Sequence, residues 1–227
     1  MVRFDAVIFD CDGVLVDSES LSGEVLLGEL RSLGLDLDMA HFAQHFLGRS
    51  FPKVVRSLRD SGVALPEEFE QRYRQRLLSV FETRLKLTPG VERVLERLSC
   101  RSCVATSSTP QRARRSLEIC GLAERFGAKV FTASQVANGK PAPDLFLFAA
   151  AELGVRPERC LVIEDSLPGV EAATAAGMAV WRYVGGAHFA TGQWRGMTPS
   201  GVPVFDDWAR FFHLAPELEL REIAHEL

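Results

Sequence analysis

The chain lacks an excess of basic residues, and this bounds the partners it can have. Its 26 Lys and Arg residues are outnumbered by 30 Asp and Glu residues, which gives a formal net charge of −4 at pH 7. Nucleic-acid-binding domains ordinarily carry a basic face or arm, so the charge balance argues against nucleic acid as a partner. An anionic ligand would have to be held by a few local cationic groups.

The chain also lacks a paired set of cysteines. Its five cysteines, Cys11, Cys100, Cys103, Cys120 and Cys160, are odd in number and scattered through apolar segments. That usage is typical of reduced, buried thiols and not of a disulfide framework. Cys100 and Cys103 have a C-x-x-C spacing, but no second pair completes a four-ligand zinc site. We expect structural thiols, with redox or metal use as the minor alternative.

Long hydrophobic runs are missing as well. No stretch approaches the roughly 18 uninterrupted apolar residues that a membrane-spanning helix needs. Residues 1–15 do not show the ordered charged, apolar and small-residue regions of a secretory signal. We therefore expect a cytoplasmic protein with no membrane partner. With 227 residues, 47% of them hydrophobic, the chain can form one large domain or one domain with a substantial insertion.

Short runs of apolar, β-branched residues recur along the chain, each followed by a helical pattern. Continuous apolar strands separated by helices are typical of a parallel sheet that is covered on both faces. The prediction is a doubly wound, Rossmann-like α/β core, with an additional edge strand at residues 202–205. The five main runs are residues 5–10, 102–106, 128–131, 160–165 and 178–184.

Capping residues delimit the helices between these runs. Thr88 with Pro89, and Thr109 with Pro110, match the N-cap and first position of a helix. Gly154 suits the end of the helix that precedes the fourth strand. The alternation of strands and capped helices supports the predicted α/β core.

One interval breaks this alternation. In residues 17–86 the apolar side chains recur at helical spacing, with hardly a β-like run. The pattern predicts a helical cap subdomain inserted directly after the first strand. The domain prediction is therefore a core of residues 1–16 and 87–227 and a cap of residues 17–86.

Chemically useful side chains follow four of the predicted strands. In open α/β sheets, ligands bind outside the carboxyl ends of the strands, so these side chains are expected at one edge of the sheet. Taken singly, each has a structural explanation as a turn, a helix cap, a solvated lysine or an acidic helix entry. Their common position favours function. They are Asp10 and Asp12, then Thr106, Ser107 and Ser108, then Lys140, and finally Glu164 and Asp165.

This set of residues suits phosphoryl transfer assisted by Mg²⁺. Several acidic side chains form an oxygen site for a hard cation, which would offset the repulsion between Asp10 and Asp12. One carboxylate can act as nucleophile and form an aspartyl-phosphate, while a second one acts as general acid and then base. Thr106, backbone N–H groups and Lys140 would hold the phosphoryl oxygens, because positive charge and positioning stabilise this transition state.

The motifs resemble those of the haloacid dehalogenase superfamily, in particular its beta-phosphoglucomutase-like subgroup. The matching segments are DCDGVLVDSE, Thr106, GKPAPD and EDSLPGVEAATAAGM, in this order and with a helical insertion after the first. The resemblance covers nearly the whole chain. It implies a helical cap over an α/β core and a Mg²⁺-dependent phosphohydrolase acting on a small phosphomonoester.

The resemblance also implies roles for individual residues. Asp10 would be the nucleophile and Asp12 the general acid and base, while Asp10, the Asp12 carbonyl and Asp165 would bind Mg²⁺. Glu164 would support or join the metal shell. Thr106 and Lys140 would bind the phosphoryl group, with Ser107 and Ser108 as candidate substrate contacts. Dehalogenases and phosphonatases of the superfamily lack the second aspartate, so Asp12 argues against both.

Two positions bear on the choice between phosphatase and mutase. Mutases of the subgroup carry a Thr and a His where this chain has Ser18 and Ser22, and the missing His favours hydrolysis. In the predicted cap, FLGRSF resembles a loop that reaches the substrate, which makes Gly48, Arg49 and Ser50 candidates for substrate contact. A surface role for Arg49 is the structural alternative.

The function predicted from the sequence is a phosphatase for a small phosphomonoester, with a sugar or polyol phosphate favoured. A sugar phosphomutase is the enzymatic alternative, and a non-catalytic binding protein on the same fold is the alternative of another class. A monomer is the default expectation. The loop of residues 185–201, with His188, is a minor candidate for reaching the site, and the basic run at residues 111–116 is interpreted as a solvated helix face.

Overall fold

The structure, a computed structural model, describes residues 3–47, 49–190 and 198–220. Its six strands form a single parallel sheet with the order β3-β2-β1-β4-β5-β6. The predicted doubly wound α/β core is therefore confirmed. The strands are β1 (Ala6–Phe9), β2 (Arg101–Thr106), β3 (Val130–Thr132), β4 (Cys160–Glu164), β5 (Ala179–Tyr183) and β6 (Val204–Phe205).

Helices cover both faces of the sheet and fill the interval after β1. In the described residues they are α1 (Glu19–Ser32), α2 (Met39–His45), α3 (Phe51–Asp60), α4 (Phe69–Arg84), α5 (Val91–Arg97), α6 (Pro110–Ile119), α7 (Ala123–Phe126), α8 (Asp144–Leu153), α9 (Leu167–Ala175) and α10 (Phe211–Leu214). None of them is both long and apolar enough to span a membrane.

The central strand β1 shows why this sequence forms a two-sided sheet. All four of its residues are buried, and successive side chains point to opposite faces. Val7 and Phe9 join the larger hydrophobic cluster, whereas Ala6 and Ile8 join the cluster under α8 and α9. A strand that is buried on both faces needs apolar residues at every position, and the AVIF run meets that requirement.

Local capping explains two of the helix starts next to the sheet edge. The Thr109 side chain accepts a hydrogen bond from the Arg112 N–H at the start of α6. The Ser166 side chain accepts one from the Gly169 N–H at the start of α9. Thr88, predicted as an N-cap, has a different role. Its hydroxyl donates to the Val14 carbonyl, and α5 begins only after Gly90.

Four helices, α1 to α4, lie between β1 and α5. The two ends of this helical interval lie side by side, because Val16 pairs with Leu87 and the Asp17 N–H donates to the Lys86 carbonyl at 2.9 Å. Helices α1 and α4 are joined by a buried charge. Glu29 accepts hydrogen bonds from two α4 arginines, Arg72 at 2.5 Å and Arg76 at 2.9 Å.

The cysteines are all free in the structure, as the sequence predicts. Cys11, Cys103 and Cys160 are buried, and Cys100 and Cys120 are partly buried. Burial raises the pKa of the Cys100 thiol to about 11, which leaves it protonated at neutral pH. These thiols pack as small apolar groups.

Candidate active site

The carboxyl ends of β1, β2 and β4 meet the helices α1, α3 and α4 around a cavity of about 370 Å³. The sheet edge provides its floor, with Asp10, Thr106 and Asp165. The helices provide the opposite wall, with Phe51 and Tyr73 stacked at a centroid distance of 4.1 Å. The cavity therefore has a charged floor and, opposite it, a partly aromatic helical wall.

Lys140 lies at the centre of the floor. Its ammonium group donates to Asp10 Oδ1 at 2.5 Å, to Glu164 Oε1 at 2.7 Å and to the Ala105 carbonyl at 3.0 Å. These three acceptors come from the ends of β1, β4 and β2. Lys140 reaches them from the loop between β3 and α8, so the sequence-predicted residues Asp10, Lys140 and Glu164 do come together.

Burial and the charge of the partner act in opposite directions on the pKa values of Asp10 and Lys140. Burial raises the pKa of Asp10 well above its usual value even though Lys140 lowers it, and the neighbouring carboxylates raise it further. For Lys140, burial alone would lower the pKa, but Asp10 and Glu164 outweigh that effect and raise it. The lysine is therefore a permanent cation against the Asp10 carboxyl.

Glu164 is fully engaged within the protein. Its Oε1 accepts from Lys140, and its Oε2 accepts from the Ser166 N–H at 2.8 Å and the Ser166 hydroxyl at 3.0 Å. A Cβ on Gly169 would lie 1.8 Å from Oε1, so glycine is required to let the first turn of α9 approach. The sequence predicts that Glu164 supports or joins the metal shell; in the structure both its oxygens accept hydrogen bonds, from Lys140 and from Ser166.

The Asp12 carboxylate is held by three donors. Ser18 donates to Oδ1 at 2.6 Å, Arg112 Nη2 donates to Oδ1 at 2.7 Å and Ser108 donates to Oδ2 at 2.5 Å. Burial alone would raise the pKa of Asp12. Arg112 and the two hydroxyls outweigh burial, so the pKa lies below its usual value.

Arg112 is a site residue that the sequence analysis missed. It belongs to the basic run at residues 111–116, which the sequence analysis interprets as a solvated face of the helix. In the structure its guanidinium donates to Asp12 and to Ser22 Oγ at 3.0 Å, and lies over the Phe81 ring at 5.3 Å. The sequence did carry a signal for this role: Arg112 comes three residues after the N-cap Thr109, and a side chain there is directed back toward the sheet edge.

Asp165 is buried at the end of β4 beside His188. His188 Nε2 lies 3.1 Å from Asp165 Oδ2, while neither ring nitrogen makes a hydrogen bond within the described part of the chain. Burial raises the pKa of Asp165 well above its usual value, and Glu164 adds to this effect. A Cβ on Gly13 would lie 2.1 Å from Oδ2, so only glycine admits the carboxylate here.

The loop after β5 therefore does reach the site. The Ala187 N–H donates to Asp17 Oδ1 at 3.0 Å, which places His188 against Asp165. The Arg182 Nε also donates to the Asp165 carbonyl at 2.9 Å. Of the loop predicted at residues 185–201, residues 191–197 lie outside the described residues.

Thr106 and the two serines after it stand at the end of β2 and line the cavity. Thr106 Oγ1 accepts from the Ser108 N–H at 3.1 Å. Ser108 is predicted as a substrate contact, but its hydroxyl is used to hold Asp12. Ser107 lines the cavity without a hydrogen bond from its side chain to any described residue.

The helical wall contributes two cations near the mouth of the cavity. Arg49, Ser50 and Lys53 line it, as predicted for the first two, and Gly48 lies outside the described residues. Lys53 donates to the Lys140 carbonyl at 3.0 Å, which ties α3 to the loop that carries Lys140.

A divalent cation fits this floor. Among the described residues no three His, Cys, Asp or Glu side chains converge in metal-binding geometry. Asp10 and Asp165 each keep a carboxylate oxygen to which no described group donates a hydrogen bond. Two carboxylates suit a hard cation that takes its other ligands from a backbone carbonyl, water and a substrate phosphate. Burial, with the neighbouring carboxylates adding to it, raises the pKa of both Asp10 and Asp165, and a bound cation would oppose that effect.

Known proteins with similar sequences include two phosphatases. The phosphorylated carbohydrates phosphatase of Thermotoga maritima is 36% identical over 183 residues, which cover 77% of this chain and 82% of that protein. The 6-phosphogluconate phosphatase of Escherichia coli is 28% identical over 190 residues, covering 83% and 86%.

Comparison of structures agrees with comparison of sequences. A conserved haloacid dehalogenase-like protein of unknown function from Agrobacterium tumefaciens has a TM-score of 0.80 at 29% identity, covering 94% of this chain and 98% of that one. A family model described as haloacid dehalogenase-like hydrolase matches residues 4–177. With its sheet order, its motifs and these matches, the chain belongs to the haloacid dehalogenase-like hydrolases.

Proposed function

We propose that the chain is a Mg²⁺-dependent phosphatase that hydrolyses a small phosphomonoester through an aspartyl-phosphate on Asp10. The observation that carries the proposal is the placement of Asp10 beside Lys140 at the floor of the cavity, with Lys140 Nζ 2.5 Å from Asp10 Oδ1. A carboxylate is a weak nucleophile, and its attack on a phosphate dianion is opposed by like charge. The fixed ammonium group reduces that repulsion and stabilises the charge of the transferring group.

Asp12 supplies the proton chemistry in this proposal. It lies two residues after Asp10, and Ser18, Ser108 and Arg112 hold its carboxylate in one orientation. As general acid it would protonate the leaving alcohol, and as general base it would then activate water to attack the aspartyl-phosphate. Thr106 and Ser107 would contact the phosphoryl oxygens at the end of β2.

Asp10, Asp165 and the Asp12 carbonyl would hold Mg²⁺. When bound, Mg²⁺ would shield the phosphate charge from the carboxylates and fix the orientation of the phosphoryl group. Glu164 supports this site indirectly, since it anchors Lys140 and leaves the cation to Asp10 and Asp165. The Arg182 hydrogen bond to the Asp165 carbonyl would fix the backbone of that residue, and the His188 ring lies against its carboxylate.

Residues 17–86 would act as a cap over the core formed by residues 1–16 and 87–227. Support comes from the four helices of this interval, its paired connections at Val16 and Leu87, and the cavity walled by both parts. Opening would admit substrate, and closing would exclude water from the reaction. We further infer a cytoplasmic monomer that binds a small molecule and neither nucleic acid nor membrane.

The substrate we propose is a sugar or polyol phosphate. Two relatives are named for phosphorylated carbohydrates and for 6-phosphogluconate, which supports this class. Hydrolysis is favoured over isomerisation by Ser22, which stands where mutases carry a His. Its hydroxyl accepts a hydrogen bond from Arg112, so the position serves the Arg112–Asp12 pair.

The test is phosphate release from sugar, polyol and nucleotide monophosphates, with and without Mg²⁺. Asp10→Asn removes the nucleophile, and Asp36→Asn, at an exposed loop position, is the matched control. We expect Mg²⁺-dependent release that is lost in Asp10→Asn and kept in the control. Consumption of a sugar phosphate without release of phosphate would instead support the mutase. If nothing is consumed, the non-catalytic binding protein becomes the better explanation.

A further inference from the structure

Glu19, the first residue of α1, is a buried residue whose carboxyl group has no hydrogen-bond partner among the described residues. It is 9% exposed and lines the cavity. Within the described part of the chain, its side chain makes no hydrogen bond and no ion pair. Every other carboxylate on the cavity floor, apart from the candidate metal ligand Asp165, is held by at least one donor. The sequence analysis gave Glu19 no role beyond its place in the motif.

Folding gains nothing from this arrangement. A carboxyl group in a buried position without a hydrogen-bond partner from the protein carries a desolvation cost. The pKa of Glu19 is raised to about 8, mainly by burial; Asp12 and Asp165 add to the rise, and Arg112 and His188 oppose it. A buried polar group that costs stability and faces a cavity is best explained by a ligand that completes its hydrogen bonds.

The surroundings of Glu19 restrict the kind of ligand group. Asp12 and Asp165 act on it as like charges, so a second anionic group of a ligand would be repelled there. The positive charge of Arg112, which would have to offset that repulsion, is already paired with the Asp12 carboxylate through Nη2, which also donates to Ser22. A neutral hydroxyl remains, because it can donate to a carboxylate oxygen or accept from a protonated carboxyl group.

The location of Glu19 restricts which hydroxyl it can reach. Ser18, the residue before Glu19, donates to Asp12 Oδ1 at 2.6 Å, and Asp12 and Glu19 both line the cavity, so the two carboxyl groups lie in the same part of it. In the proposed reaction Asp12 faces the oxygen of the leaving alcohol. A hydroxyl near Glu19 therefore belongs to the alcohol part of the substrate, close to the ester carbon.

We propose that Glu19 is a specificity-determining residue that binds a hydroxyl group of the substrate alcohol next to the scissile ester. This proposal rests on the proposed phosphatase function and narrows it to phosphomonoesters of polyhydroxy alcohols. A substrate without that hydroxyl leaves Glu19 buried and unpaired in the closed cavity. Sites that hydrogen-bond a substrate hydroxyl reject the analogue that lacks it for this reason.

Two simple phosphate esters test the proposal on the intact enzyme with Mg²⁺. Glycerol 1-phosphate carries a hydroxyl next to the ester carbon, and n-propyl phosphate does not. We expect kcat/KM for glycerol 1-phosphate to exceed that for n-propyl phosphate by about 10- to 100-fold. Glu19→Leu should bring the ratio close to 1, and Glu19→Gln, which keeps hydrogen-bonding groups, should restore part of it. Glu24→Gln, on the exposed face of α1, is the control and should keep the full ratio.

Thermal unfolding separates a specificity role from a structural one. Glu19→Leu removes a buried, unpaired carboxyl group, so its Tm should equal or exceed that of the unaltered protein. If the leucine variant does not fold, Glu19→Ala takes its place in both measurements. A Tm lowered by several degrees in both the leucine and glutamine variants would assign Glu19 a structural role and overturn the proposal.

The kinetic outcomes also separate this proposal from the proposed function. A ratio near 1 in the unaltered enzyme, or a ratio that Glu19→Leu does not change, refutes the role of Glu19 while phosphate release still supports the phosphatase. No phosphate release from either ester, or from any member of the wider substrate panel, refutes the phosphatase itself and the inference with it.

Discussion

Replacing Arg112 with methionine should impair the enzyme chiefly through Asp12. The change removes the guanidinium that lies 2.7 Å from Asp12 Oδ1 but keeps an aliphatic chain over the Phe81 ring. Two hydroxyl donors, Ser18 and Ser108, remain on the carboxylate. The variant therefore loses one hydrogen bond between charged groups, to Asp12, and one neutral acceptor contact, to Ser22 Oγ.

A hydrogen bond to a charged group contributes about 1.5–3 kcal/mol. If that amount is lost from the stabilisation of the transition state, kcat/KM falls by about 10- to 150-fold. Arg112→Lys keeps the charge but not the planar guanidinium, so we expect an intermediate loss. Arg114→Met, at an exposed position two residues along α6, is the matched control and should leave kcat/KM unchanged.

The assay is single-turnover phosphate release from an alkyl ester and from an aryl ester whose leaving group needs little protonation. If Arg112 acts through the acid role of Asp12, the loss is large for the alkyl ester and small for the aryl ester. In an Asp12→Asn background, Arg112→Met should have less than about 3-fold further effect, because coupled residues are not additive. Equal losses on both esters, or additive losses in the double variant, would refute the reasoning.

Three further changes test other parts of the structure. Gly169→Ala places a Cβ 1.8 Å from Glu164 Oε1. We expect thermal melts to show a Tm lowered by several degrees, although alanine in place of glycine usually stabilises a helix. Glu29→Gln should cost about 2 kcal/mol at pH 7, measured by urea unfolding. The α4 arginines outweigh burial and lower the pKa of Glu29. The stabilisation by the ion pair is therefore complete above the unfolded-state pKa, and the difference in stability between variant and parent should vanish as the pH falls through the folded-state pKa. A difference that stays constant with pH would contradict the ion pair. Lys53→Met loses the hydrogen bond to the Lys140 carbonyl, so KM should rise several-fold with a smaller change in kcat. Unchanged steady-state kinetics would show that the contact does not hold the cavity closed.

The sequence was sufficient to predict the sheet and the acids at its edge. The buried runs are long enough and apolar enough to permit only a two-sided parallel sheet, and that topology brings the ends of β1, β2 and β4 together. Asp10 and Lys140 could be paired for the same reason, although they are 130 residues apart.

Thr88 shows where local pattern was insufficient. Threonine followed by proline is a helix start in isolation, but here the hydroxyl is needed by the Val14 carbonyl and also accepts from Trp208 Nε1 at 3.0 Å. A buried carbonyl without a donor costs more than an unused cap, so the tertiary contact prevails.

What the sequence by itself determined is the fold class, the strand ends and the type of chemistry, because these follow from periodicity, topology and residue type. Only the tertiary structure decided which partner each acidic side chain has. It brings Glu164 to Lys140 and Asp12 to Arg112, sets His188 against Asp165, and gives the Glu19 carboxyl group no hydrogen bond within the described residues. The physical reason is that a carboxylate takes its role from the donors and the solvent around it, and those come from parts of the chain that only folding brings together.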